Sequence, residues 1–138
     1  MPSRLSPYLN FRDNTRSAME FYKEVFGGNL TVSTFKEYNA SPDPAEDSKI
    51  MHSVLEADNG MVLMASDTPN RMDYKPGTNI SMSLSGSDEK ELKDYWDRLS
   101  NGATIRMPLM KAAWGDTFGM LTDMFGIGWL VNIAAPKS

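Results

Sequence analysis

SKIMHSVLEADNGMVLMASD, residues 48–67, contains the chain's single histidine and its strongest hairpin signal. Apolar runs on either side of Asn59-Gly60 favour a two-residue turn, because both turn residues then take positive φ. Such a turn makes 58 face 61, 56 face 63 and 52 face 67. His52, Val54, Glu56, Leu63, Ala65 and Asp67 would then share one side of the sheet. Met51, Ser53, Leu55, Ala57, Val62 and Met64 would share the other, more apolar side, which is expected to lie under a helix.

Upstream of the hairpin, YLNF (8–11) reads as a short strand and NTRSAMEFYKEVFGG (14–28) as a helix. Ala18, Phe21, Tyr22, Val25 and Phe26 form one apolar stripe at helical spacing. Asn14 suits the N-cap, and Gly27 or Gly28 the left-handed stop. LTVSTFKEY (30–38) reads as a strand, and YNASPDPAEDSK (38–49) as an exposed loop rich in prolines and acids. Downstream, SDTPNRMDYKPGT (66–78) looks like a linker.

After the linker the order repeats. TNISMSLSG (78–86) is a strand with Ile80, Met82 and Leu84 on one face. SDEKELKDYWDRLSNG (87–102) is a helix capped by Ser87, with Leu92, Tyr95, Trp96 and Leu99 buried. Strand-like segments follow near 104–110, 117–122 and 129–134. Phe21-Tyr22 corresponds to Tyr95-Trp96, Val25 to Leu99 and Gly28 to Gly102. Such self-similarity predicts paired modules, each β-α-β-β-β. One module spans about 5–67 and the other about 78–135, joined by a linker near 68–77 into a single domain over 1–138.

The composition narrows the function. At 138 residues the chain can bury a core without staples. It has no cysteine, which excludes disulfides and thiolate metal sites and suits a cytoplasmic location. The net charge of −4 and the lack of a basic cluster argue against nucleic-acid binding. The longest strongly apolar run, 61–65, is too short to span a membrane, and MPSRLSPY lacks the apolar stretch of a signal peptide.

The modules resemble the vicinal oxygen chelate superfamily, which includes glyoxalase I, bleomycin-resistance proteins and extradiol dioxygenases. Within it the chain is similar to the PhnB-like group. The resemblance rests on YLNF (8–11), AMEFYKEVFGG (18–28), KIMHSVLEADNGMVLMASD (49–67) and MPLMKAAWGDTFGMLTDMFGIGWLVNI (107–133). Met124 stands where the group more often has proline. The resemblance implies an α+β fold: a curved, mixed, mostly antiparallel eight-stranded sheet with helices on its convex side and a cup for a small molecule. It also implies a homodimer. Some members carry an inherited methyltransferase label, but this chain shows no glycine-rich strand-to-helix motif for a methyl donor.

Metal-using members hold their ion with His, Glu or Gln. The aligned positions here fall near Pro7 or Tyr8, at Leu63, at Asn79 and near Leu130. Neighbours one or two residues away add Asn10, Ser81 and Asn132, which are weak ligands for a divalent transition ion. No metal and no other cofactor is therefore expected; a divalent ion enters only under an enzymatic alternative.

The expected ligand pocket comprises Asn10, His52, Glu56, Leu63, Asn79, Ser81, Trp114 and Asn132. His52 and Glu56 lie about 13 Å apart along a strand, too far to share an ion. His52 and Asp67 would face each other, either as a catalytic acid/base pair or as a cross-strand charge pair. Trp114, in a glycine-containing loop, either covers a ligand or packs in a core or dimer interface. Arg106 and Lys111 read as solvated surface. The expected function is metal-free small-molecule binding. The rival readings are a metal-dependent lyase, isomerase or dioxygenase, and a scaffold whose cup is filled by its own side chains.

Overall fold

The computed structural model describes residues 3–39 and 41–136. Met1, Pro2, Ala40, Lys137 and Ser138, which the sequence reading places in the leading segment, the 38–49 loop and the tail, lie outside the described residues. The elements are β1 Tyr8–Phe11, α1 Thr15–Phe26, β2 Asn29–Thr34, β3 Ile50–Glu56, β4 Val62–Asp67, β5 Met82–Gly86, α2 Glu89–Leu99, β6 Thr104–Lys111, β7 Thr117–Thr122 and β8 Gly128–Ile133. The chain divides into two compact units between Lys75 and Pro76. The eight strands form two mixed four-stranded sheets, ordered β1-β4-β3-β2 and β5-β8-β7-β6. In each sheet the outermost first strand runs parallel to the last, and the other pairs are antiparallel. The fold is α+β, with one β-α-β-β-β pattern used twice. No described helix is long and apolar enough to cross a membrane.

In the first unit α1 packs against β2, β3 and β4. Ala18, Met19, Tyr22, Val25 and Phe26 are buried, with Met19, Val25 and Phe26 each worth about 2 kcal/mol in apolar burial. Met19 belongs to this face, whereas Phe21, expected there, is only half-buried. The sheet contributes Phe11, Leu55, Leu63 and Ala65 to the same core.

The β3–β4 turn differs from the expected one. Ala57 N–H donates to Met61 O at 2.9 Å and Gly60 N–H to Ala57 O at 3.0 Å, closing a three-residue loop, Asp58–Gly60. Gly60 takes the positive φ, 86°, and Asn59 does not. Asn-Gly serves this bulged turn as well as the two-residue one, since only its glycine must be left-handed. The extra residue moves the register by one: Glu56 faces Val62, Leu55 faces Leu63, Val54 faces Met64 and Ser53 faces Ala65. A one-residue slip transfers every β4 side chain to the other face. Leu63, Ala65 and Asp67 therefore share the helix-covered side with Ser53 and Leu55, and the expected pairing of 52 with 67 is replaced.

Asp67 is 5% exposed and completes the helix start. Its Oδ1 accepts from Thr15 N at 3.1 Å and Thr15 Oγ1 at 2.7 Å, and its Oδ2 accepts from Ile50 N at 2.8 Å. Asn14, the expected cap, occupies that position without a side-chain bond. A carboxylate from β4 thus supplies what the local residue does not.

The 38–49 segment is not simply an exposed loop. It includes a 3-10 turn, Pro44–Glu46, and the Glu46 side chain is buried. Glu46 accepts from Asn70 N at 2.9 Å and Ser41 Oγ at 3.0 Å. Lys49 pairs with Asp13 at 2.9 Å and lies 3.6 Å from Glu46. The Asn70 N–H, with smaller contributions from Ser41 and Lys49, holds the Glu46 carboxyl below its usual 4.5, while burial opposes this. A depressed carboxylate contributes stability that is complete above the unfolded value and lost as pH falls through the folded one. Thermal midpoints of the wild type and Glu46→Gln should therefore differ near neutral pH and converge as the pH drops below 4.5. Midpoints measured across that range provide the check.

In the second unit α2 packs against β5 and β8, burying Leu92, Tyr95, Trp96 and Leu99 as expected. Its cap is Asp88, whose carboxylate accepts from Glu91 N at 3.0 Å, one residue beyond the expected Ser87. Gly119 lies under Trp96: a Cβ there would come within 2.8 Å of the indole. The β7–β8 turn repeats the bonding of Ala57–Met61, with Asp123 N–H donating to Ile127 O and Gly126 N–H to Asp123 O. The Asp123 carboxylate accepts from Phe125 N, Ile127 N and the Trp129 indole, tying that turn into the core. Strand β5 begins at Met82, so Asn79, Ile80 and Ser81 lie in its lead-in, and Ile80 is 81% exposed instead of facing a core.

Candidate functional site

Each sheet has one face toward its helix and one open face. Register assigns the open face of the first unit. Tyr8 pairs with Met64, Asn10 with Ser66, Thr31 with Val54 and Ser33 with His52. Met64 in turn faces Val54, and Val62 faces Glu56. Tyr8 reaches over β4 to His52: Oη and Nδ1 share a hydrogen bond of 3.2 Å, and the rings stack at 5.9 Å and 24°. Of the expected pocket residues, Asn10, His52 and Glu56 are on this face. Leu63 and Asp67 are not; both are buried on the helix side.

The open face of the second unit carries two cross-strand rows. Ser83, Leu130, Met120 and Met107 form one, and Ser85, Asn132, Phe118 and Met110 form the other. Register shifts on either side of Met107 let β6 place both Met107 and Met110 against this face. The β6–β7 turn uses the same bonding again: Gly115 N–H donates to Ala112 O, Ala112 N–H to Asp116 O, and Gly115 takes φ 100°. It presents Trp114, 62% exposed and edge-on to Phe118 at 5.4 Å and 66°.

Asp116 organises this end of the sheet. Its Oδ2 accepts from Asn132 Nδ2 at 3.0 Å and its Oδ1 from Ala135 N at 2.9 Å. The Asn132 bond, then Ala135, then the Trp114 side chain hold its carboxyl below 3.8, against the effect of burial. Trp114 and Asn132, both expected in the pocket, are thus brought together around one carboxylate. Asn79 and Ser81 remain exposed in the segment before β5.

Three participants escaped the sequence reading: Tyr8 as the partner of His52, Phe118 beside Trp114, and Asp116. Asp116 had a local signal, since an acid after Trp-Gly in a short loop is placed to bond turn and strand-end amides. Tyr8 had none, because its contact depends on the β1–β4 register.

Among the described residues no group of three or more His, Cys, Asp or Glu side chains could hold a metal ion. The positions expected to align with metal ligands, near Pro7 or Tyr8, at Leu63, at Asn79 and near Leu130, are not themselves imidazole, thiolate or carboxylate residues, the donors that a divalent transition ion prefers.

The chain shares its paired β-α-β-β-β fold with several solved proteins. The chain belongs to the PhnB-like family, whose model, described as 3-demethylubiquinone-9 3-methyltransferase, matches residues 3–132. It is similar to protein PA1353 from Pseudomonas aeruginosa, with 34% identity and a TM-score of 0.82, covering 98% of this chain and 100% of that one. The PhnB protein from Bacillus cereus is 22% identical with a TM-score of 0.77, covering 96% and 100%. The fosfomycin resistance protein FosX from Listeria monocytogenes shares the fold, with 12% identity and a TM-score of 0.65 over 98% and 96%.

Proposed function

We propose that this protein binds a small organic molecule on the open faces of its sheets without a tightly held metal. One observation supports this most: those faces combine aromatic rings, thioethers, amides and hydroxyls, while the aligned ligand positions lack strong donors. A methyl-transfer role, suggested by the family's description, has less support. The strand-to-helix corners Arg12–Asn14 and Ser87–Asp88 contain no glycine loop to approach a nucleoside donor. The same reading takes the protein to be a cytoplasmic homodimer.

Elemental analysis of dialysed protein should find no stoichiometric transition metal, and Mn²⁺, Ni²⁺ or Zn²⁺ should leave the thermal midpoint unchanged. A metabolite panel should contain compounds that raise it, since a ligand at about 100 times its Kd stabilises by about 2.7 kcal/mol. One retained metal per chain, or a panel without effect, overturns the proposal.

The Tyr8–His52 hydrogen bond favours a second reading, in which the pair moves a proton on a bound substrate. In that case turnover of a panel compound falls in His52→Ala while its binding persists.

A further inference from the structure

We propose that the Trp114–Phe118–Asn132 end of the second sheet selects a planar aromatic ligand bearing N–H donors, amidinium-like in charge, over an anionic one. This rests on the small-molecule-binding reading and names the ligand class at that face.

Asp116 is the starting point. An ionised carboxylate only accepts hydrogen bonds, so the Asn132 amide must turn its NH₂ toward Asp116 Oδ2. The amide oxygen, Oδ1, is then the end left to face a ligand. Asn132 is half-buried in the open-face row, between Ser85 and Phe118. A group docking there meets an acceptor backed by a negative charge.

The aromatic neighbours extend this preference. Trp114 projects from a turn closed by two backbone hydrogen bonds, and its ring packs edge-on against Phe118. Its ring is therefore oriented before any ligand arrives, which lowers the ordering cost of binding. Edge-on packing of Phe118 leaves Trp114 with exposed ring surface. A flat cation gains from such a π-face, and an anion does not.

Among the described residues, the cations of β6 lie away from this row. Arg106 Nε donates to Thr122 Oγ1 at 2.7 Å, at the far end of β7, and four residues of strand put it about 13 Å from Phe118. Lys111 pairs with Thr117, whose own partner is the buried Ile133, so it belongs to the opposite face. Nothing in the row Ser85, Asn132, Phe118, Met110 would neutralise a carboxylate or phosphate.

The test is an NMR titration of the full chain with benzamidine and with benzoate, which share a ring and differ in donor and charge. Benzamidine should shift the Asn132 side-chain amide and the Trp114 indole, and bind about fivefold tighter than benzoate. Asp116→Asn removes the charge and frees the amide to turn, so that preference should fall toward unity. Trp114→Leu, at an exposed position, should weaken benzamidine without disturbing the fold, and carries the test if Asp116→Asn fails to fold. Equal or tighter binding of benzoate, shifts centred on Tyr8 and His52 instead, or no binding of benzamidine overturns the inference. The second of these leaves small-molecule binding intact; failure of the whole metabolite panel removes both.

Discussion

Asp67→Ala is expected to cost about 4 kcal/mol, more than any substitution on the open face of the first unit. The carboxylate serves three donors at once: Thr15 N, Thr15 Oγ1 and Ile50 N. Removing it strands two backbone amides and a hydroxyl where water does not reach, since Thr15 is 0% and Ile50 2% exposed. Each stranded group costs about 1–3 kcal/mol. Asp67→Asn should recover part of this loss, because its single amide oxygen can serve Thr15 while its NH₂ confronts the Ile50 N–H. His52→Ala, which removes an exposed hydrogen bond, should cost under about 1 kcal/mol. Urea denaturation of the three variants gives the comparison, and a double mutant with His52→Ala should show no coupling between the two positions. An Asp67→Ala loss no larger than that of His52→Ala, or measurable coupling, would contradict the observed register.

Asp67, expected opposite His52 but placed under α1, shows how far the sequence reaches. Helix stripes, strand positions and the repeat all follow from short-range periodicity, and α1, α2 and β6–β8 lie where that periodicity puts them. The hairpin register depends on a single residue of loop length. Asn59-Gly60 fits a two-residue turn and a three-residue turn alike, because in both the glycine accepts positive φ. That ambiguity moved Leu63 and Asp67 from the helix side to the open side. The candidate site divides in the same way. His52 and Glu56 follow from strand alternation and Trp114 from loop composition, whereas Asn10 and Asn132 come from the family resemblance. Tyr8 against His52, and Asp116 against Asn132 and Ala135, are contacts between distant segments that no local pattern specifies. Asp67 capping α1 from β4 is of the same kind.

Gly28→Ala is expected to destabilise the first unit by about 4 kcal/mol, against about 1 kcal/mol for Gly60→Ala. Both glycines have positive φ, 101° and 86°, so both substitutions incur the left-handed penalty. Their surroundings separate them. A Cβ on Gly60 meets nothing within 4 Å. A Cβ on Gly28 would lie 2.0 Å from Glu56 O and 2.7 Å from Ala57 Cα, both backbone atoms at the end of β3. A flexible side chain could swing away; a strand carbonyl moves only if β3 or the α1–β2 corner moves with it. Either shift changes how α1 lies on the sheet, where Tyr22, Val25 and Phe26 are buried. Denaturation midpoints for the two variants test this directly. Equal losses would mean that the corner yields at little cost, and that the seating of α1 is set by its apolar stripe alone instead of by the close approach of Gly28 to β3.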